Sequence, residues 1–336
     1  MAFSTGSAAS WAALVSAMDT FLTGDLRFSN TYTNGVNDND GGLFDAATWS
    51  YGSAYWNFDF RHASDQLRCW LSTDNDGGGT TFGQHTGTAM GSSGSENSDS
   101  TKNNYVTFPL TYYFYGDEGL TGDNDYFCMV LNPSPGLYHH FWIGVIEPYW
   151  AAALPYGAYC GASTMTNGDC TAPMAYTANS TIGKDVLHYP YSATPSGEQT
   201  SIQNTHGSRL SAGFCGAAGW NEQGARSPMF EMVRTGQSDL TGRSILAPNP
   251  ALVTDASTES NGTRSVLVGS YPGVHMMSIQ GLPAEAQITI GSDTYDVYPM
   301  ARRGTETQGS PFTPGGSESG GTFQTGMLAF AYKRFA

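Results

Sequence analysis

Tyr126-Phe127-Cys128-Met129-Val130-Leu131-Asn132-Pro133-Ser134-Pro135-Gly136-Leu137-Tyr138-His139-His140-Phe141-Trp142-Ile143-Gly144-Val145-Ile146 decides the fold class. Six apolar residues run without interruption, then a Pro/Gly-rich break, then a second apolar run. Runs of this length bounded by turn residues read as strands. The prolines fix φ in the break, and Gly136 supplies a positive φ. The segment is therefore expected to be a β-hairpin.

Further β signals lie on either side. Thr48 to Phe60 alternates aromatic with small or polar residues and is expected to be a half-buried strand. Tyr105 to Tyr115 is β-prone, with Pro109 marking an edge or a break. Near the C-terminus, Ala286–Ile290 and Thr294–Pro299 flank Gly291-Ser292-Asp293, a hairpin pattern. Phe323 to Phe335 reads as a closing strand, with Ala329, Ala331 and Lys333 on one face and Phe330, Tyr332 and Arg334 on the other.

A single segment has helical periodicity. Trp11, Leu14, Val15, Met18, Phe21 and Leu22 fall on one helical face, Ser7 or Ser10 can cap the start, and Gly24 follows the last periodic residue. The expected fold is mainly β, sandwich- or barrel-like with short strands and long loops, plus this N-terminal amphipathic helix. The expected organisation is a helical segment at 1–25, a β-rich body at 26–246 and C-terminal β units at 251–336, with Ala247-Pro248-Asn249-Pro250 as a connector. Residues 72–104, rich in Gly, Ser, Asn and Asp, are expected to be a long loop holding one short edge strand, and residues 304–322, rich in Gly, Ser, Thr and Pro, a second long loop.

Composition narrows the function classes. The chain has 336 residues, 42 of them Gly, with 14 basic and 29 acidic residues for a net charge of −15. Charged residues are 13% of the total, about half the usual ~25%. With 17 Phe, 19 Tyr and 7 Trp the chain has ample apolar area to fold. Helical bundles need more Lys and Glu, and a nucleic-acid surface needs clustered Lys and Arg, so neither is expected. No direct nucleic-acid partner and no membrane-spanning segment are expected, because the longest apolar zone, Phe141 to Leu154, is interrupted by Gly144, Glu147 and Pro148. The first basic side chain is Arg27, so no secretory leader is expected either.

No phosphate-binding loop, dinucleotide fingerprint, zinc-protease motif or nucleophile elbow occurs. No catalytic residue and no cofactor is assigned. His139-His140 is the only His pair; on a strand its members point to opposite faces, one packed and one exposed, so they do not ligate one metal. Asp38 and Asp40, Asp74 and Asp76, and Asp123 and Asp125 sit in Gly/Asn-rich stretches whose oxygens suit Ca²⁺. None completes a twelve-residue calcium loop, and Asp, Asn and Gly are also the ordinary residues of solvated turns. The five Cys are an odd number in a long chain, which argues against a disulfide framework; Cys160 and Cys170, flanking a Gly/Asn turn, are the one pair placed to bridge. Glycoside hydrolysis would need two converging carboxylates from among Glu118, Glu147, Glu222, Asp45 and Asp59. Trp49, Trp56, Trp142, Trp150 and Trp220 are the matching sugar platforms, although Trp in alternating strands is usually core.

Four stretches, in order along the chain, carry a resemblance. They are Met1 to Ala8 running into the Leu14 to Leu22 helix; Ser134 to Gly144 followed by Tyr156 to Ser163; Ile288 to Pro299; and Gly326 to Arg334. Together they resemble a family of virion structural proteins of tailed bacteriophages, with Pro155-Tyr156-Gly157 departing from a Gly pair common in that family. The resemblance implies a tail, baseplate or tail-tip component without catalysis, localised to the virion tail. Its partners would be copies of itself and other virion proteins in a ring-shaped assembly. Trp11, Tyr112, Tyr113, Tyr115, Tyr149, Trp150 and Tyr156 are the corresponding interface candidates, since Tyr and Trp suit such contacts. The alternatives are a virion-borne carbohydrate-binding module for host recognition and a glycan-degrading tail enzyme. On the particle reading, the negative charge acts as repulsion from packaged DNA and from premature self-association.

Overall fold

The structure is a computed structural model describing residues 2–33, 44–52, 54–61, 66–72, 89–90, 101–103, 106–117, 126–145, 147–148, 158–162, 186–188, 208–212, 247–255, 264–279, 282–299 and 328–334. The chain opens with β1 (Ala2–Ala8) and the helix α1 (Trp11–Gly24). There follow β2 (Ser29–Thr33), β3 (Phe44–Tyr51), β4 (Ala54–Arg61), β5 (Gln66–Ser72), β6 (Ala89–Met90) and β7 (Thr101–Asn103). The middle holds β8 (Leu110–Asp117), β9 (Tyr126–Ser134), β10 (Leu137–Val145), β11 (Glu147–Pro148), β12 (Ala158–Ala162), β13 (Val186–His188) and β14 (Ser208–Ala212). The last five are β15 (Ala247–Asp255), β16 (Arg264–Ser278), β17 (Ala286–Ile290), β18 (Asp293–Pro299) and β19 (Leu328–Arg334).

The fold is strand-dominated, and the described strands form three sheets. The central sheet has the order β1-β8-β9-β10-β12-β13. A second has β2-β3-β4-β5-β6, with β7 also on β5. The third runs β14-β15-β16-β19-β18-β17, with β11 also on β16. Every pairing is antiparallel.

The hairpin at the heart of the sequence is β9–β10, and its two strands are the most deeply buried among the described residues. Their burial is continuous because the sheet is covered on both faces. Phe114, Phe127, Met129, Leu131, Phe141 and Ile143 project to one face and join a core with α1 and with Trp49, Trp56, Phe58 and Phe60 of β3 and β4. Tyr115, His140 and Trp142 project to the other, towards β18 and β19.

Helix α1 buries the six residues of its apolar face, each worth roughly 1.5–3 kcal/mol when fully removed from water. Ser10 caps it, its Oγ accepting from the Ala13 amide at 3.3 Å. The single charge within the helix, Asp19, anchors it to the adjoining sheet: it accepts from Trp49 Nε1 at 3.0 Å and Asn30 Nδ2 at 2.5 Å.

Three expectations need correction. Residues 2–8 are a strand rather than the run-up to the helix; β1 pairs with β8 through seven consecutive partners, and Gly6 is bare because the Tyr112 ring lies where a Cβ would be. Thr48 to Phe60 is two strands, β3 and β4, because Gly52 at φ +59° turns the chain between Tyr51 and Ala54. Residues 247–250 are the start of β15 rather than a connector. The sheet accommodates the two prolines where the β15–β16 register shifts between Pro248 and Asn249. That third sheet therefore contains β11 and β14 from the middle of the chain as well as the C-terminal strands. The C-terminal hairpin and the two faces of the closing strand are as expected: Ala329 and Ala331 join one cluster, while Phe330 and Tyr332 face His140.

Candidate functional site

The residues with the most chemical capacity gather between the central sheet and the β17–β18–β19 end of the third sheet. Alternation along the strands places them there. On β10, Tyr138, His140 and Trp142 share a face; on β8, Tyr113 and Tyr115; on β18, Asp296 and Tyr298; on β19, Phe330, Tyr332 and Arg334.

Two hydrogen-bond chains run through this layer. In the first, Trp142 Nε1 donates to the Tyr332 hydroxyl at 2.8 Å, and that hydroxyl lies 2.7 Å from His140 Nδ1. His140 Nε2 lies 2.9 Å from the carbonyl of Pro299. A carbonyl only accepts, so Nε2 carries the proton and Nδ1 accepts from Tyr332. Burial agrees, pushing the His140 pKa from 6.5 down to about 3, so the ring is neutral. Donors and acceptors then alternate from Trp142 to Pro299 with none left over along that path.

In the second chain, Tyr115 donates to Asp296 Oδ2 at 2.7 Å and accepts from Tyr298, whose hydroxyl is 2.6 Å away. Gln287 Nε2 donates to Asp296 Oδ1 at 2.8 Å, and Arg334 Nε lies 3.7 Å from Oδ2. The buried carboxylate is thus satisfied on both oxygens. Arg334 also lies over the Phe3 ring at 4.0 Å, which ties β1 into the same layer. Ring contacts bind the two chains together: Tyr115 stacks on Tyr332 at 5.1 Å, and Phe330 sits edge-on to both His140 and Trp142 at 4.9 Å.

At the rim of the layer is Glu285, an exposed residue at φ +62°. Its carboxylate accepts from Tyr138 at 2.9 Å, Tyr113 at 3.0 Å and Asn132 Nδ2 at 3.3 Å. The turn before β17 is thereby clasped to the central sheet.

The electrostatics set what this arrangement does. Burial, reinforced by the neighbouring Tyr298 and Asp296, raises the pKa of Tyr115 far above its ordinary value. Burial also raises Tyr298, with Asp296 adding to the shift. Tyr113 and Tyr138 are raised by burial and then by the Glu285 charge. The tyrosines stay protonated and His140 stays neutral across the physiological range. The layer works as a hydrogen-bonded joint between two sheets.

The sequence-derived candidates fall in several places. Trp11 is 3% exposed within the apolar core and Tyr115 is 1% exposed within the polar layer, so neither offers surface to a neighbouring subunit. Tyr112 is half-buried and stacks on Phe114 at 4.4 Å, and Tyr113 is half-buried with its hydroxyl on Glu285. Tyr149, Trp150 and Tyr156 lie outside the described residues, as do Asp38, Asp40, Asp74, Asp76, Asp123 and Asp125. Among the described residues, no group of three or more His, Cys, Asp or Glu side chains is placed to hold a metal.

Both His139 and His140 are buried, at 1% and 0% exposure, which corrects the expectation that one would face water. Each face of the sheet has its own cover, so opposite directions both lead inward. Trp49, Trp56 and Trp142 are at most 1% exposed and provide no platform for a sugar. Trp150 and Trp220 lie outside the described residues, as do Glu118, Glu222 and Cys170; Asp45, Asp59, Glu147 and Cys160 are placed by backbone alone. Among the described residues no helix is long and apolar enough to cross a membrane.

Sequence reasoning passed over Asp296, Tyr298, Tyr332 and Glu285. The signal for the first three is the alternation of Tyr295 to Tyr298 and of Ala329 to Tyr332, which puts polar-tipped aromatics on one face. No protein-family model matches the chain and no curated protein matches it.

Proposed function

We propose that this chain is a structural subunit of a tailed-bacteriophage particle, built into the tail and packed against copies of itself and other virion proteins in a ring. One observation carries the reading. The stretches that resemble the virion family are distant in sequence but adjacent in space, and what they form is a joint. Residues 2–8, 137–144 and 158–162 are strands of the central sheet, and residues 288–299 and 328–334 belong to the sheet that packs on it. The hydrogen-bond chain from Trp142 through Tyr332 and His140 to Pro299 lies wholly within them, and the second chain joins their Asp296 and Tyr298 to Tyr115 of β8. A scaffold needs its layers held in a fixed relation under load, and a joint with directional bonds and stacked rings supplies that.

The test is imaging of intact particles by cryo-electron microscopy, with the chain placed in the density by its side chains. The expected result is density for the chain repeated about the tail axis. Absence of the chain from purified particles overturns the reading, and so does an isolated chain that turns over a glycan as a free monomer.

A further inference from the structure

The polar layer sets a hydrogen-bond acceptor against the hydroxyl of each of five tyrosines. Tyr332 donates to His140 Nδ1 at 2.7 Å, Tyr115 to Asp296 Oδ2 at 2.7 Å and Tyr298 to the Tyr115 oxygen at 2.6 Å. Tyr113 and Tyr138 donate to the Glu285 carboxylate at 3.0 and 2.9 Å. The rings are also in series. Tyr113 lies 5.1 Å from Tyr298, and Tyr298 lies 6.4 Å from Tyr115. Burial keeps Tyr113, Tyr115, Tyr138 and Tyr298 protonated. A phenol that loses an electron becomes a strong acid, so its oxidation must move a proton, and here the acceptors are already in place.

Charge decides between the two buried pairs. A proton from Tyr332 would turn neutral His140 into a buried cation. A proton from Tyr115 would turn the buried Asp296 carboxylate into a neutral acid, and so remove a buried charge. Burying a charge is costly, which favours the second transfer. The rest of the site accommodates it. Gln287 Nε2 goes on donating to Asp296 Oδ1, and Tyr298 goes on donating to the Tyr115 oxygen. Arg334, the ion partner at 3.7 Å, has a side chain 36% exposed and is solvated when the carboxylate is neutral.

From this arrangement we propose that Tyr115 and Asp296 form a redox-active pair, which takes up oxidising equivalents from a diffusible one-electron oxidant by way of Tyr113. The oxidant gains an electron from Tyr113, half-buried at the rim, and the Tyr113 proton passes to exposed Glu285. Tyr115 then gives an electron to Tyr113 across the Tyr298 ring. The Tyr115 O–H bond breaks, its proton joins Asp296 Oδ2, and Tyr113 recovers its own proton from Glu285. What remains is a neutral Tyr115 phenoxyl radical that accepts hydrogen bonds from Tyr298 and from the Asp296 acid. Its burial screens it from reductants and from other radicals in solution. The net charge of −15 favours a cationic oxidant. The proposal goes beyond the particle-subunit reading and does not depend on it.

The experiment uses the full-length chain and photogenerated tris(bipyridyl)ruthenium(III), a cationic one-electron oxidant. Transient absorption and electron paramagnetic resonance follow the tyrosyl radical. In the folded wild-type chain the radical is expected to outlive that of the urea-unfolded chain by roughly an order of magnitude or more. Tyr115→Phe removes the hydroxyl, and Asp296→Asn keeps it but removes the base; each is expected to bring the lifetime down to that of the unfolded chain. Tyr332→Phe, in the same layer, and Tyr112→Phe, stacked on Phe114 outside it, are expected to leave the lifetime unchanged. If Tyr115→Phe or Asp296→Asn fails to fold by circular dichroism, Tyr113→Phe at the rim replaces it and is expected to cut the yield of the long-lived radical severalfold. A wild-type radical no longer-lived than in the unfolded chain overturns the proposal. So does one that persists in Tyr115→Phe or Asp296→Asn, or whose yield is unchanged in Tyr113→Phe. Loss of the long-lived radical in Tyr332→Phe or Tyr112→Phe overturns it as well, because the radical then rests elsewhere.

Discussion

The β8–β9–β10 sheet is packed on both faces, and the two layers are built from different materials. Towards α1 and β3–β4 the contacts are Phe, Leu, Met and Trp, with rings such as Phe58 and Phe141 at 5.4 Å. Towards β18–β19 the rings are nearly as dense, but Tyr115, Tyr298, Tyr332, His140 and Trp142 each use a polar atom on another member. An apolar layer is non-directional and tolerates sliding as long as volume is kept. A hydrogen-bonded layer costs desolvation and returns orientation, because a shifted sheet would leave buried donors and acceptors unpaired. The first layer is expected to dominate stability and the second to fix the angle between sheets.

Removing bulk from the apolar side is the largest break. Phe141→Ala opens a cavity beneath Phe58 in a site with no exposure, and is expected to lower unfolding free energy by roughly 3–5 kcal/mol. Denaturant melts of the full chain measure it. A loss below about 1 kcal/mol would mean that this layer is not the main source of stability.

On the polar side the corresponding break keeps shape and removes one atom. Tyr332→Phe deletes the hydroxyl that accepts from Trp142 and donates to His140, leaving both groups buried. Loss of the acceptor for the buried Trp142 donor costs roughly 1–3 kcal/mol, which is the expected loss for a change that alters no packing. The same melts, with Tyr112→Phe as a half-buried control, separate this from a generic tyrosine effect.

The two layers were not equally legible in the sequence. The apolar side announces itself locally: Trp11 to Leu22 has helical spacing, and Tyr126 to Leu131 is a continuous run with a Pro/Gly break after it. The polar side has no local spacing at all. Tyr115 and Asp296 are 181 residues apart, and His140 and Tyr332 are 192 apart. Alternation shows that Tyr298 and Tyr332 share faces with other residues, but which strands lie opposite is decided by topology. β1 was hidden for another reason: Ala2 to Ala8 has no apolar period, and its place is set by backbone pairing with β8 and by the Tyr112 ring over Gly6.

Acid acts on the polar layer through His140 and on the third sheet through His275. His140 has a folded pKa of about 3 against an ordinary 6.5, and His275, half-buried beside Tyr295 and Lys333, is lowered to about 4. Between these values the unfolded chain binds protons that the folded chain refuses. Stability is therefore full above about pH 6.5 and falls as pH drops towards the folded values, by about 1.4 kcal/mol per pH unit for each such histidine. At pH 5 the expected loss from His140 is roughly 2 kcal/mol. Melts across pH 7 to 4 read it, and a flat profile would mean that His140 is not buried neutral.

The smallest expected effect is at Glu285, where backbone and side chain pull in opposite directions. The residue holds φ +62°, a conformation costing an ordinary residue roughly 1–2 kcal/mol, and in return its carboxylate collects Tyr113, Tyr138 and Asn132. The carboxylate is exposed, so solvent screening holds its contribution to about 1 kcal/mol or less. Glu285→Ala keeps the strain and loses the clasp, and is expected to destabilise by about 1 kcal/mol. Glu285→Gly also loses the clasp but relieves the strain, and is expected to be near neutral. If the two variants melt alike, the backbone strain is negligible and the side chain carries the whole effect. If glycine is the more damaging, its extra freedom in the unfolded chain outweighs any strain it relieves. A loss well above ~1 kcal/mol in both variants instead makes the carboxylate a stronger tie than an exposed hydrogen-bonded group usually provides, so that the rim shares with the buried chains the work of fixing the angle.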